Sequence, residues 1–446
     1  MKELAKRVAL ISLGCAKNLV DSEVMLGYLQ HDGYILETDL SRAGVIIVNT
    51  CGFIHQAREE AEQQLRSAVR RKRSSPAIRI VAAGCYVQKE GEDLKRRYPE
   101  IDYWTGVNDF HHIVQLIEDR TFSPEDRCFL YDHESPRLLS TPPSWAYLKI
   151  SEGCSHRCSF CTIPKIKGPY RSRPMESIIL EAERLADAGI KEINLVSQDS
   201  TYYGRDLGLN EGLARLMERL LDTPRLEWIR VLYTYPEEIS DTLLEVMRAE
   251  KICAYIDSPF QHADPTLIRR MKRGMDGPRA LKLIDKIRKR LPQAALRTSL
   301  IVGFPGEGRA EFARLKDFVR TASFDHLGVF TYSHELDAPS SILNDNIPNR
   351  LKNERRQEIM EIQAEISKRN LKRWVGARLP VLLEGRMPEN PGVYVGRTQS
   401  QAPEVDGMVL VHVPPQVEIG QAVNQVEIQH SDVYDLSGIL IQCGHS

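Results

Sequence analysis

Ala146-Tyr-Leu-Lys-Ile150-Ser-Glu-Gly-Cys154-Ser-His-Arg-Cys158-Ser-Phe-Cys161 joins an apolar, strand-like segment to a loop that carries three cysteines at C-x3-C-x2-C spacing. Five more apolar strand candidates follow, at 192–196, 229–232, 254–258, 296–302 and 326–330, separated by helical segments such as 177–188 and 279–290. Six such units predict an open, partial (β/α) barrel, short of the eight strands of a closed one. A charge-laced helix over 351–373, with Ile359, Ile362 and Ile366 at three- and four-residue steps, is expected to pack on the barrel and lead out of it. Upstream, 8–13, 45–49 and 78–83 are β-branched and apolar and alternate with helical segments at 22–31 and 56–73. That alternation predicts a doubly wound parallel sheet whose ligands lie outside the carboxyl ends of its strands. Beyond Gly376, the short alternating runs 379–383, 393–397, 408–413 and 422–428 are broken by Gly and Pro, as in a small antiparallel β-barrel. The class is therefore α/β, with expected domains at 1–120, 144–373 and 374–446 and a Pro- and Ser-containing linker at 121–143.

The 446 residues, 42% hydrophobic and 27% charged, are enough for several domains with cores of their own. Lys plus Arg number 60 against 61 Asp plus Glu, a formal charge of −1. That balance excludes a chain that binds nucleic acid or anionic lipid as a polyelectrolyte, so any basic site must be local. No apolar run approaches the ~18 residues of a membrane span. Residues 1–7 mix both charge signs without an apolar core, so a cytoplasmic protein with no membrane partner is expected. Nine cysteines at uneven spacing point to metal or redox chemistry rather than a disulfide framework.

Three thiolates on one short loop can ligate three irons of a four-iron, four-sulfur cube and leave the fourth iron open. An open iron can take the amino and carboxylate groups of S-adenosylmethionine, and an electron from the cube can then cleave the sulfonium to a 5′-deoxyadenosyl radical. The other reading of the loop is a Cys3His zinc site with His156 as fourth ligand, although His156 lies between its supposed co-ligands. Cys15, Cys51 and Cys85 each follow the carboxyl end of a strand candidate. In a parallel sheet those ends share one edge, so the three can converge on a second cube; three unrelated buried cysteines are the alternative. Cys128, Cys253 and Cys443 match no ligand spacing and are assigned to linker, core and chain end. His111-His112 reads as a solvated helix end and Arg70-Arg-Lys-Arg73 as a helix carboxyl end favoured by the dipole.

With Phe160 in the aromatic place, C-x3-C-x-aromatic-C resembles the signature of radical S-adenosylmethionine enzymes. Ser12-Leu-Gly-Cys15-Ala-Lys-Asn18-Leu-Val-Asp21-Ser-Glu23, Val48-Asn-Thr-Cys51-Gly-Phe-Ile54 and Ala83-Gly-Cys85-Tyr-Val-Gln88 resemble the amino-terminal domain of methylthiotransferases. Ser151-Glu-Gly-Cys154, Ile163-Pro164 and Arg171-Ser-Arg-Pro174 are similar to the same family around the second trio. Gly396-Arg-Thr398 and Ala402-Pro-Glu-Val-Asp-Gly407 look like its TRAM domain, so the likeness covers essentially the whole chain in order. Gly14-Cys15-Ala-Lys-Asn18 with Val20-Asp-Ser-Glu23 resembles the branch acting on an aspartate of small-subunit ribosomal protein twelve, the RimO type. A charge count agrees. From Trp374 onward Arg378, Arg386 and Arg397 stand against Glu384, Glu389, Glu404, Asp406, Glu418, Glu427, Asp432 and Asp435, a net −5. A barrel that grips RNA should be basic, whereas an acidic one suits a basic ribosomal protein.

The resemblance implies two 4Fe-4S clusters, a radical-generating one on Cys154, Cys158 and Cys161 and an auxiliary, sulfur-carrying one on Cys15, Cys51 and Cys85. It implies S-adenosylmethionine as methyl donor and radical source, and a transferase that methylthiolates the β-carbon of an aspartate to give 3-methylthioaspartate. The substrate carbon must meet each cluster in turn, so both are expected to face one cavity between the first two domains. Phe160, Gln198 at the end of the second barrel strand and Gly303 at the end of the fifth are the expected S-adenosylmethionine contacts. A plain turn is the other reading of Gly303-Phe-Pro-Gly306. Expected partners are ribosomal protein twelve, free or in the particle, an electron donor such as flavodoxin or ferredoxin, and ribosomal RNA at the basic run. The alternatives are a methylthiotransferase acting on an adenosine of tRNA and a zinc-containing, non-enzymatic RNA-binding protein.

Overall fold

The β-branched runs become strands where the alternation places them, and the computed structural model describes residues 6–413 and 423–441. Among these, the residues up to Ser140 with Lys149–Ile178 and Ser333–Ser341 form one compact unit; Thr141–Leu148, Ile179–Tyr332 and the residues from Ile342 form another.

The first unit holds β1 (Arg7–Ser12), α1 (Ala16–His31), β2 (Ile35–Leu36), β3 (Val45–Thr50), α2 (His55–Ser74), β4 (Arg79–Gly84), α3 (Cys85–Arg97), β5 (Tyr103–Thr105) and α4 (Ile113–Ile117). The strands pair in parallel in the order β2-β1-β3-β4-β5, a doubly wound sheet whose strand order reverses between β1 and β3. Val45 to Val48 are wholly buried, as a central strand covered on both faces requires. Ile46, Val48, Ile80 and Ala82 pack against Ala61, Leu65 and Ala68 of α2 and Leu94 of α3. Residues 121–140 contain no helix or strand, yet Cys128 and Tyr131 are buried. Glu23 of α1 anchors this segment: its carboxylate accepts from Arg137 Nη2 at 2.7 Å and Ser140 N–H at 2.8 Å. Gly27 lets this segment pass, since a Cβ there would meet the Pro136 carbonyl at 2.4 Å.

After β6 (Trp145–Lys149), the cysteine loop is framed by β7 (Ser151–Glu152), α5 (Ile163–Lys167) and β8 (Arg171–Ser172), with β8 antiparallel to β7. The second unit continues through α6 (Met175–Asp187), β9 (Glu192–Val196), α7 (Gly212–Leu221), β10 (Trp228–Val231), α8 (Asp241–Val246), β11 (Tyr255–Asp257), α9 (Pro265–Arg270), α10 (Gly277–Arg290), β12 (Ala295–Val302), α11 (Arg309–Ala322) and β13 (His326–Thr331). The strands lie in the orders β10-β9-β6 and β11-β12-β13, and a parallel bridge between Ile229 and Ile252 links the two sets. This is the six-stranded partial barrel the sequence calls for. α12 (Asn349–Lys372) packs on β13 and α11. Ile359 and Ile366 are buried as expected, but the residue between them is Gln363 rather than the half-buried Ile362, and Gln363 Nε2 donates to the Phe324 carbonyl at 2.9 Å.

The C-terminal barrel closes in the order β14 (Arg378–Met387), β15 (Asn390–Arg397), β16 (Val409–His412), β18 (Leu436–Leu440), β17 (Val423–Ser431). Its pairs are antiparallel except β16 with β18, which run parallel. The start of the fourth expected strand, Ala422, and Cys443 lie outside the described residues. The motif 397–406 docks on the amino ends of the (β/α) strands. Arg397 Nη2 reaches Glu192, the first residue of β9, at 2.6 Å, and Glu192 also takes Arg230 at 2.8 Å. Tyr255 Oη donates to Asp406 at 2.6 Å and His326 Nε2 lies 2.7 Å from the Ser400 carbonyl. Burial would raise the Glu192 carboxyl; Arg397 and Arg230 outweigh it and hold it below the usual range. The carboxyl ends, where barrel ligands bind, are left to Gln198 and Gly303.

Candidate functional site

Register brings the dispersed cysteines together. Ser12 sits opposite Asn49 and Thr50 opposite Gly84, so the residues just past β1, β3 and β4 share the carboxyl edge of the sheet at its switch point. Cys51 follows β3 directly, Cys85 opens α3, and Cys15 caps α1, so two of the three thiols sit at helix amino ends that favour an anion. Side chains would not fit between them. A Cβ on Gly14 would lie 2.6 Å from Cys51 Cβ, one on Gly52 2.7 Å from Tyr86 Cα, and one on Gly84, at φ +95°, 2.3 Å from Asn49 Oδ1. Asn49 Nδ2 donates to the Asn18 carbonyl at 3.0 Å and to Ser22 Oγ at 2.8 Å, while Asn18 Nδ2 donates to the Leu13 carbonyl at 2.6 Å. These amides tie the Cys15 turn to β3, a role no spacing rule announces.

The thiols act on one another electrically. Burial first, then the neighbouring Cys15, pushes the Cys51 thiol up to about 11. Burial pushes the Cys85 thiol well above its ordinary value, with Lys167 opposing it and Cys51 and Cys15 adding to it. Three thiols in mutual electrostatic range, Cys15 exposed and Cys51 and Cys85 half-buried, suit a group that displaces their protons on binding. A four-iron cube fits this set, because it asks for thiolates on separate irons rather than ligand atoms crowded around one ion.

On the local trio, Gly153 at φ +77° lets the backbone turn in against Pro169, whose carbonyl oxygen would be 2.1 Å from a Cβ. Cys154 N–H donates to the Gly168 carbonyl at 3.1 Å, Cys161 N–H to the Cys158 carbonyl at 3.3 Å, and Ile163 N–H to Cys161 Sγ at 3.4 Å. Ser340 N–H holds the Ser159 carbonyl at 2.7 Å, and Glu335 of the same segment pairs with Arg58 at 2.6 Å and Lys89 at 2.8 Å. The loop is thus a built framework for three sulfurs, with Phe160 half-buried on it. His156 with the loop cysteines does not form a single-ion cluster. Among the described residues, the trio of ligand atoms within 4.8 Å of one another is His111, His112 and Glu125.

That histidine pair departs from the solvated helix end expected. His111 stacks on Phe129 with ring centroids 3.9 Å apart, its side chain is 10% exposed, and burial lowers its pKa to about 4, with His112 adding to the effect. Cys128 and Cys253 are buried and their thiols pushed up to about 12, burial being the main cause for both. Of the basic run, Lys72 pairs with Asp102 and Arg73 with Glu100 at the carboxyl end of α2.

In the second unit Gln198 follows β9 and Gly303 follows β12. Gly303 has φ +75°, and a Cβ there would meet Lys352 Cγ at 2.3 Å. Its N–H donates at 2.8 Å to Glu307, a buried carboxylate also bound by Arg355 at 2.7 Å. Two residues invisible to motif reading sit on the same barrel end. Tyr233, after β10, has φ +60° and Gln261, after β11, φ +70°, conformations that cost a non-glycine residue about 1–3 kcal/mol and gather at functional sites.

Profiles of known families cover the chain in the same order: the uncharacterized protein family UPF0004 over residues 7–106, the radical SAM superfamily over 148–319 and the TRAM domain over 375–441. The ribosomal protein uS12 methylthiotransferase RimO of Syntrophotalea carbinolica is 43% identical over 98% of this chain and 97% of its own length. Its namesake from Geobacter sulfurreducens is 41% identical over 99% and 100%. Among solved structures, the radical S-adenosylmethionine methyltransferase TsrM from Kitasatospora setae, with tryptophan and a S-adenosylmethionine analogue bound, aligns at TM-score 0.54 and 14% identity over 85% of this chain and 78% of its own. That likeness concerns fold alone. Domain order and sequence together define a radical S-adenosylmethionine methylthiotransferase. The chain belongs to the ribosomal protein uS12 methylthiotransferase RimO family.

Proposed function

We infer that this enzyme methylthiolates the β-carbon of an aspartate in ribosomal protein uS12, giving 3-methylthioaspartate. The observation that carries the reading is the meeting of Cys15, Cys51 and Cys85 at the switch point, beside a full-length likeness to RimO proteins. We assign a 4Fe-4S cluster to that trio and another to Cys154, Cys158 and Cys161; when bound, the clusters and S-adenosylmethionine supply the sulfur, the methyl group and the radical. The chain's own residues hold and shield. Gly14, Gly52 and Gly84 keep the first site open, Gly153 and the β7–β8 pair shape the second loop, and the Ile163 N–H stabilises charge on Cys161 sulfur. Phe160, Gln198 and Gly303 are assigned to S-adenosylmethionine, joined by Tyr233 and Gln261 on the barrel end where ligands bind. Functional boundaries at 120, 143 and 373 follow the sequence.

Docking consumes Arg397, Glu384 and Asp406 of the C-terminal barrel. With Glu404 also taken by the Tyr147 hydroxyl at 2.8 Å, Arg378 and Arg386 then remain against Glu389, Glu427, Asp432 and Asp435 among the described residues, an acidic surface that suits basic uS12. We assign ribosomal RNA, at most, to Arg70 and Arg71, and electrons to a flavodoxin or ferredoxin. No described helix is long and apolar enough to cross a membrane; from the proposed ribosomal substrate we assign the enzyme to the cytoplasm. The test compares cells with and without the gene by intact mass of uS12 and nucleoside analysis of tRNA. Loss of one methylthio group from uS12 with tRNA unchanged is expected; loss from tRNA alone, or from neither, overturns the substrate.

A further inference from the structure

Four charged side chains are buried together in the first unit: Asp21 on α1, Lys149 ending β6, Glu152 on β7 and Lys167 ending α5, none more than 4% exposed. They alternate in sign around a closed ring. Lys149 Nζ donates to Asp21 Oδ1 and, at 2.8 Å, to Glu152 Oε2; Lys167 Nζ donates to Asp21 Oδ2 at 3.0 Å and to Glu152 Oε2 at 3.3 Å. The other Glu152 oxygen accepts the Gly153 N–H at 3.2 Å, and the Tyr131 ring lies 5.6 Å from the Lys149 ammonium. Burial would strip both lysines of a proton, but the two carboxylates outweigh it and hold the ammonium groups above the ordinary lysine range. In sequence the ring joins both trios: Asp21 lies on the helix that Cys15 caps, Glu152 just before Cys154, Lys167 on the helix after Cys161. Apolar residues of like volume would fill such a space about as stably, so the ring's value lies in fixing geometry and field. Lys167 is the member placed toward a ligand thiol: α5, which it ends, packs on α3, which Cys85 opens, and its charge favours the Cys85 thiolate.

We propose that Lys167, held by Asp21 and Glu152, is a positioning residue that raises the reduction potential of the group bound by Cys15, Cys51 and Cys85. A buried positive charge next to a cluster ligand stabilises the added electron, and the low local dielectric lets it act without a direct bond. The inference rests on the reading of that trio as a cluster site. The experiment uses the full chain with Cys154, Cys158 and Cys161 changed to Ala, reconstituted with iron and sulfide, so that one cluster is read alone. Iron is counted first and the midpoint potential then measured by a spectroscopically monitored redox titration. Lys167→Met should lower the reduction equilibrium roughly tenfold, 59 mV for one electron, while Lys167→Arg should keep the parent value. Lys167→Met with Asp21→Asn, which leaves the ring neutral, should lower it in the same direction and serves where the single variant does not fold. Lys149→Met, equally buried but not among the main charges acting on Cys85, should shift it less. An unchanged potential in both charge-deleted variants with iron in place overturns the proposal. A parent protein that holds no iron overturns the cluster reading and the proposal with it.

Discussion

Cys154, Cys158 and Cys161 lie within eight residues on one loop, whereas Cys15, Cys51 and Cys85 are spread over 71 residues and meet only because three parallel strands end side by side. The local trio depends on its own turn, on Gly153 and on the β7–β8 clasp. The dispersed trio depends on register: a one-residue slip of β3 or β4 would turn every side chain to the other face and carry a thiol away from the site. One chain thus builds two similar ligand sets by local and by tertiary means, and each should fail separately.

The largest effects test that separation. Cys158→Ala and Cys51→Ala should each bring methylthiolation of uS12 to background, because a cluster is lost with its thiolate. Only Cys158→Ala should also abolish 5′-deoxyadenosine release from S-adenosylmethionine, read by chromatography of the reaction. Release lost in both variants would break the distinction. Next, Gly84→Ala and Gly153→Ala each force a Cβ into backbone or side chain at positive φ, at a cost of about 1–3 kcal/mol. Each should lower iron content at one trio alone, as metal analysis and a thermal melt would show. Asn49→Ala removes one donor each from the Asn18 carbonyl and the Ser22 hydroxyl and should cost about 1–2 kcal/mol in denaturant unfolding, with loss of iron from the dispersed trio only. The smallest effect spares both trios. His111 is held neutral to about pH 4 when folded, against 6.5 unfolded, so the unfolded chain takes up the proton first. Stability should be full above pH 6.5 and fall gently as pH drops toward 4, with Glu125 and His112 facing the ring; His111→Phe should flatten that slope.

Periodicity made the six barrel strands and three of the five sheet strands legible, because each carries an apolar run long enough to show a pattern. β2 and β5, two and three residues long, carry none, and β18 is hidden by its Ser437-Gly438 pair. Of the site, the cysteines are legible because thiolate spacing is chemistry. Asn18, Asn49 and the Asp21–Lys149–Glu152–Lys167 ring are not, since their partners lie up to 146 residues away. Tyr233 and Gln261 carry strain that no residue type announces. Arg397 entered the sequence reading through its TRAM-like motif and the charge count, and neither shows that Glu192 and Glu384 bury it against the (β/α) strands.

The most direct test is elemental analysis of anaerobically purified protein beside its Cys51→Ala and Cys158→Ala variants. The account predicts about eight irons per parent chain and about four in each variant, without stoichiometric zinc. Four irons in the parent, an unchanged count in Cys51→Ala, or zinc in place of iron would contradict it.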